Sequence, residues 1–210
     1  YEHALMLLSN LKEDWETRGL VLANAATAYA DQGDMDSADS FFNESIAISR
    51  RMNNEAAEST RRGNYGWFLL ATGRYEQALS MLEYALRLSR NLNLNLQAAI
   101  QTDNMGLTYD SMGNYEKGLS HHQDAAALIE PLHRPHWHAV VSLSTANSLI
   151  GLNRIEEARP LLKSALTQGR TTDDVELIIR ALTGLAHISV KQDRPTECGT
   201  WLEEAVTLAR

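Results

Sequence analysis

A single cysteine, Cys198, stands in the 210 residues, so no intrachain disulfide can form and a secreted, cross-linked fold is excluded. A reducing, cytoplasmic setting is expected. Basic residues are also short: 19 Lys and Arg face 27 Asp and Glu, leaving a formal charge of −8 that argues against binding nucleic acid or an anionic membrane. No apolar run approaches the ~18 residues of a membrane span, and the N-terminus has no basic-then-apolar leader. The chain lacks a Gly-rich phosphate loop ending in Gly-Lys-Ser/Thr, and it lacks His-Glu-x-x-His. No enzyme, cofactor or metal is expected. The histidines around Pro131 and Pro135, His133, His136 and His138, match no standard zinc spacing and have no cysteine beside them. The first residue is Tyr1, inside a helical pattern, and the chain is expected to be a segment of a larger protein.

What is present is a repeat. The phrase Gly33-Asp-Met-Asp-Ser-Ala38 returns as Gly73-Arg-Tyr-Glu-Gln-Ala78, Gly113-Asn-Tyr-Glu-Lys-Gly118, Asn153-Arg-Ile-Glu-Glu-Ala158 and Asp193-Arg-Pro-Thr-Glu-Cys198. The steps from 33 to 73, 113, 153 and 193 are each 40 residues. On both sides of the turn residue the apolar spacing is helical, as in Leu22, Ala25, Ala26, Tyr29 and in Ala38, Phe41, Phe42, Ile46. Each unit is therefore read as two helices. A lone leading helix is expected over 1–12, with hairpins over 16–54, 55–94, 95–134, 135–173 and 174–210. Gly or Asn at the turn ends the first helix, and Asp34, Asn114, Asn153 and Asp193 are expected to cap the second. Pro160 should loosen or kink its helix. A small residue recurs late in each first helix, at Ala26, Gly66, Gly106, Ala146 and Ala186, where it lets two helix axes approach closely.

These positions carry a resemblance to the tetratricopeptide repeat family: the small residue late in the first helix, the Gly at the turn, Tyr75 and Tyr115 two residues on, and small residues along the second helix. The resemblance implies an all-α fold, a right-handed superhelical solenoid of antiparallel helix hairpins with a concave, ligand-binding wall of first helices. The long period is similar to repeats of kinesin light chains, of spindle-orientation adaptors, and of sensor regions in bacterial maltose-activator-like regulators and signalling ATPases. The phrases Ala47-Ile-Ser-Arg-Arg-Met-Asn-Asn54 and Arg87-Leu-Ser-Arg-Asn-Leu-Asn-Leu94 lean to the bacterial group. Ala158-Arg-Pro-Leu161 is similar to kinesin light chain repeats.

Opposite the packing stripe of the first helix lies Asn24, repeated as Asn64 and Asn104. A carboxamide both donates and accepts, so such a row suits a peptide backbone, and the resemblance implies that use. The row breaks at Ser144 and Gly184. One turn on stand Thr27, Trp67, Leu107, Asn147 and His187. The expected ligand-binding groove therefore comprises Asn24, Asn64, Trp67, Asp103, Asn104, Asn147 and His187, with Asp103 and Asp110 making its centre acidic. The family's carboxylate clamp uses Lys, Asn and Arg at defined groove positions, and the corresponding positions of the first repeat offer Ala23 and Thr27, so chaperone tails are not the expected ligand.

Three roles fit. The first is a scaffold for a protein or peptide. The second is an effector-sensing module of a bacterial signalling ATPase or transcription regulator. The third is self-association, a homodimer through a C-terminal end where Trp201, Leu202, Ala205 and Val206 lack a polar capping helix.

Overall fold

The computed structural model describes residues 14–209, and the helix expected over 1–12 lies outside them. Ten α-helices and one 3-10 turn follow, with no strand among the described residues. They are α1 (Trp15–Asp31), α2 (Met35–Arg51), α3 (Glu55–Ala71), α4 (Tyr75–Asn91), α5 (Asn95–Ser111), α6 (Tyr115–Ile129), α7 (Pro135–Gly151), α8 (Ile155–Thr172), α9 (Val175–Lys191) and α10 (Pro195–Leu208). Glu130–Leu132 forms the 3-10 turn. The chain divides into two compact units, one ending at Asn104 and the other beginning at Met105.

Turn chemistry fixes the hairpins. Gly33, Gly73 and Gly113 take φ of +82°, +77° and +77°, and Asn153 and Asp193 take the same left-handed conformation at +59° and +53°. Asn153 and Asp193 are therefore turn residues, not the caps expected of them. The residues that follow, Arg154 and Arg194, are the N-caps and supply no side-chain bond. Asp34 and Asn114 do cap, accepting from the amides of Ser37 and Lys117. The two hydrogen bonds from Ser37 hold the Asp34 carboxyl below its ordinary range. Helix α8 runs unbroken through Pro160, and its first turn is held by longer bonds, 3.3 Å from Glu157 N and 3.2 Å from Ala158 N to the Arg154 carbonyl.

In unit 1, α1 packs on α2 and α3 on α4, with α2 against α3. Phe42, Tyr65 and Phe68 form a buried aromatic cluster, with ring centroids 5.1 Å apart for Phe42 and Tyr65. Tyr65 Oη donates to Asp39 at 3.0 Å, and the Arg74 guanidinium grips the same carboxylate through two nitrogens. Burial and that carboxylate push the Tyr65 phenol up. In unit 2, α7, α8 and α9 enclose a core that includes Leu143, Leu162, Leu182, Leu185 and Ile188. The small positions lie at helix crossings as expected: Ala26, Ala146 and Ala186 are buried, and a Cβ on Gly66 would stand 2.7 Å from Leu82 Cγ.

Candidate functional site

The outward face of the first helices follows from which residues the core leaves over. In α1, Leu22, Ala25 and Ala26 are buried, while Leu20, Asn24, Thr27 and Asp31 are exposed at helical spacing. In α3 the equivalent residues Thr60, Asn64, Trp67 and Ala71 are exposed. Leu20 is 58% and Trp67 51% exposed, in a unit whose Phe42, Tyr65 and Phe68 are all buried. The carboxamides of Asn24 and Asn64 make no hydrogen bond among the described residues, whereas Thr27 Oγ1 is already spent on the Ala23 carbonyl at 3.3 Å. Beneath this face lies the buried Arg61 guanidinium, which donates to the Ser45 carbonyl at 3.0 Å and to Ser49 Oγ. Burial pushes its pKa down, with the Glu16 charge opposing. On α5, Asn104 is half-buried and Asp103 is buried, so Asp103 sits below the surface that Asn24 and Asn64 occupy.

In unit 2 the repeat-equivalent residues of α7 and α9 include Asn147 and His187, both exposed. Ser144 and Gly184, where the Asn row breaks, are buried. Asp110 does not line the face as an acidic residue. Ser148 Oγ donates to its two carboxylate oxygens at 2.9 and 2.7 Å, and His122 Nε2 lies 3.2 Å from Oδ2. His122 is fully buried. Ser, His and Asp thus meet, but the hydroxyl serves the carboxylate and not the imidazole, so the proton relay that activates a serine nucleophile is not built here. A signal for this cluster was present in the sequence: His122 stands where Phe42, Leu82 and Leu162 stand in other repeats, and Asp110 where Leu70 and Ile150 stand, all of them buried apolar positions.

The other histidines divide. His121 stacks on Tyr109 with centroids 5.2 Å apart, and His136 Nδ1 pairs with Asp174 at 3.0 Å. No three His, Cys, Asp or Glu side chains converge as a metal site among the described residues. No described helix is long and apolar enough to cross a membrane. Cys198 is half-buried in the first turn of α10.

Residues 17–91 match the family model for the tetratricopeptide repeat. No curated protein matches the chain in sequence. Among solved structures, the chain is similar to a signal transduction ATPase with numerous domains from Pyrococcus horikoshii that has a tetratricopeptide repeat sensor. That pair shares 17% identity at a TM-score of 0.80, covering 99% of this chain and 33% of the ATPase. It is also similar to a Rap protein complexed with competence and sporulation factor, at 13% identity and TM-score 0.80, over 96% of this chain and 58% of that one. A putative kinesin light chain from Podosopora anserina with nearly identical TPR-like repeats matches at 14% identity and TM-score 0.69, over 89% and 92% of the two chains. The chain spans about a third of the ATPase and somewhat over half of the Rap protein.

Proposed function

We propose that this member of the tetratricopeptide repeat family is a non-enzymatic, cytoplasmic scaffold that binds a protein or peptide segment on the outward face of its first helices. Asn24, Asn64 and Trp67 in unit 1 form the principal contact surface, and Asn147 and His187 offer the equivalent face of unit 2. The observation that carries this is Trp67, 51% exposed beside a free carboxamide at Asn64. A tryptophan left half in water keeps a large apolar surface uncovered by the fold, and tryptophan is among the side chains most enriched at binding hot spots. Carboxamides at Asn24 and Asn64 supply paired donors and acceptors for a peptide backbone, independent of side-chain identity. The Rap protein's complex with a competence and sporulation factor supports a peptide partner for this fold.

The test is a set of peptides selected from a random display library against the whole chain, then titrated on Trp67→Ala and on Asn24→Ala/Asn64→Ala. Trp67→Ala is expected to weaken binding about 30-fold or more, the size of a ~2 kcal/mol hot spot, at a temperature where circular dichroism shows the variant fully folded. Binders whose affinity survives all three substitutions place the contact surface elsewhere.

Two finer readings attach to the same scaffold. A sensor segment of a larger signalling protein is supported by the likeness to the tetratricopeptide repeat sensor of an ATPase three times its length. Self-association is supported by α10, where Leu202 is 44% and Val206 52% exposed.

A further inference from the structure

The positions of the first helices that face the neighbouring second helices carry different side chains from repeat to repeat, and in the second repeat a cleft of 360 Å³ stays open beside Arg50 and Arg62. In the second repeat Arg62 Nε bonds Glu58 at 2.8 Å, Arg50 reaches the same carboxylate at 3.2 Å, and the Arg62 guanidinium lies 3.9 Å over the Tyr84 ring. In the fifth repeat Ile178 and Leu182 are buried at the equivalent floor positions, and Arg170 pairs with Glu204 at 2.5 Å above them. In the first, Leu22 is buried at the floor and Arg18 pairs with Glu44 at 2.7 Å. The third repeat has Ala98, Thr102 and Asp124 at these positions, and the fourth has short side chains at both the floor and the wall. Ser142 stands where Arg62, Leu22 and Leu182 stand, His138 where Glu58 stands, and Ser164 where Tyr84 stands. Short side chains replace long ones, and a cleft of 630 Å³ remains in unit 2. That size is within the range of small-molecule sites.

The lining is polar and carries unused donors. Arg134, His133 and His138 border the cleft, and neither the guanidinium nor either imidazole has a hydrogen-bond, ion-pair or ring partner among the described residues. His136, one residue outside the lining, is by contrast taken up by Asp174. The hydroxyls of Ser142 and Ser164 are likewise without partners, and Glu130 is the one carboxylate at the rim. An arginine with two imidazoles and two hydroxyls around an open volume recognises an anion, because charge-assisted N–H and O–H bonds are about twice as strong as neutral ones. Glu130 accepts from a hydroxyl or amine on the same ligand and disfavours a purely anionic one.

We infer that this cleft of the fourth repeat is a binding site for a small anionic molecule, one bearing a carboxylate or phosphate group beside a hydrogen-bond donor. It is separate from the first-helix face and does not depend on it.

Imidazole signals of the whole chain, followed by NMR at fixed pH and ionic strength, test this with inorganic phosphate and malate as probes and chloride as the reference ion. His133 and His138 are expected to shift saturably while His187 stays still. Arg134→Gln should weaken the effect about ten-fold, the loss of one charge-assisted contact. Ser142→Leu should abolish it by filling the floor with the residue found at positions 22 and 182. Whichever probe saturates at lower concentration names the anion. Shifts that chloride reproduces, that spread equally to His187, or that saturate at an unchanged concentration in Arg134→Gln overturn the site, and this last readout stands even where Ser142→Leu folds poorly.

Discussion

Gly66 offers a perturbation whose sign the packing decides. It lies in the interior of α3, where replacing Gly by Ala on propensity alone stabilises a helix by ~1 kcal/mol. A Cβ there would meet Leu82 Cγ at 2.7 Å and Cδ2 at 2.8 Å, and Leu82 is completely buried. Overpacking of this kind costs ~1–3 kcal/mol, so Gly66→Ala should leave the chain destabilised by up to ~2 kcal/mol once the propensity gain is set against it. Leu82→Ala alone leaves a cavity and should cost ~2–5 kcal/mol. In that background the obstructing atoms are gone, and the nearest remaining neighbour of the new Cβ is the Ala78 carbonyl oxygen at 3.4 Å, an ordinary contact. Gly66→Ala should then stabilise by up to ~1 kcal/mol. Urea unfolding by circular dichroism, fitted with nearest-neighbour repeat terms, measures the cycle. Gly199→Ala is the internal reference, since nothing lies within 4 Å of a Cβ there, and it should stabilise in any background. The same sign for Gly66→Ala with and without Leu82 would refute the close-approach account of this position.

Ser148→Ala removes the hydroxyl shared between the two oxygens of Asp110 and should cost ~1–3 kcal/mol by leaving a carboxylate under-bonded in a largely dry site; a denaturation midpoint unchanged from wild type would show that water replaces it freely. Multi-angle light scattering over a wide concentration range should reveal a dimer that Leu202→Glu/Val206→Glu dissolves, because these two residues are, with Leu208, the exposed large apolar side chains of α10; a monomer at every concentration removes self-association.

The hairpins were legible because a close helix crossing and a left-handed turn each restrict residue choice at one position, and those restrictions recur every repeat at Ala26, Gly66, Gly106, Ala146 and Ala186 and at Gly33, Gly73, Gly113, Asn153 and Asp193. The turns between hairpins have the same left-handed geometry at Asn53, Asn93, His133 and Asp173, with φ of +50° to +56°. They left no comparable mark, since four occurrences used three residue types. The N-caps Arg74, Arg154 and Arg194 were invisible for a related reason: a helix start supported by its hairpin does not require a side-chain acceptor. Asn24, Asn64, Asn147 and His187 were placed on the outer face by periodicity alone, which sorts inward from outward positions well. Periodicity has no way to know that a polar residue has turned inward to meet another. Asp110 was read as groove lining, although its partners His122 and Ser148 lie 12 and 38 residues away in sequence.

The departures from the repeat therefore carry different information depending on what they displace. When Asp110 and His122 replace apolar residues, they do so as a mutually bonded set that refills the volume, and the Gly106 beneath the His122 ring preserves the close approach that Gly66 gives Leu82. That substitution changes the chemistry of the core and leaves its shape. When Ser142 and Ser164 replace Arg62 and Tyr84, no residue from a neighbouring helix grows to compensate, and volume is lost. Each buried methylene forgone costs of the order of 1 kcal/mol, and the 630 Å³ opening exceeds the 360 Å³ one beside Arg50 and Arg62, where the guanidinium of Arg62 is already paired with Glu58. A groove bordered by an unpaired guanidinium, two imidazoles and two hydroxyls is thus better explained by an occupant than by folding, whereas the Asp110 cluster is explained by folding alone.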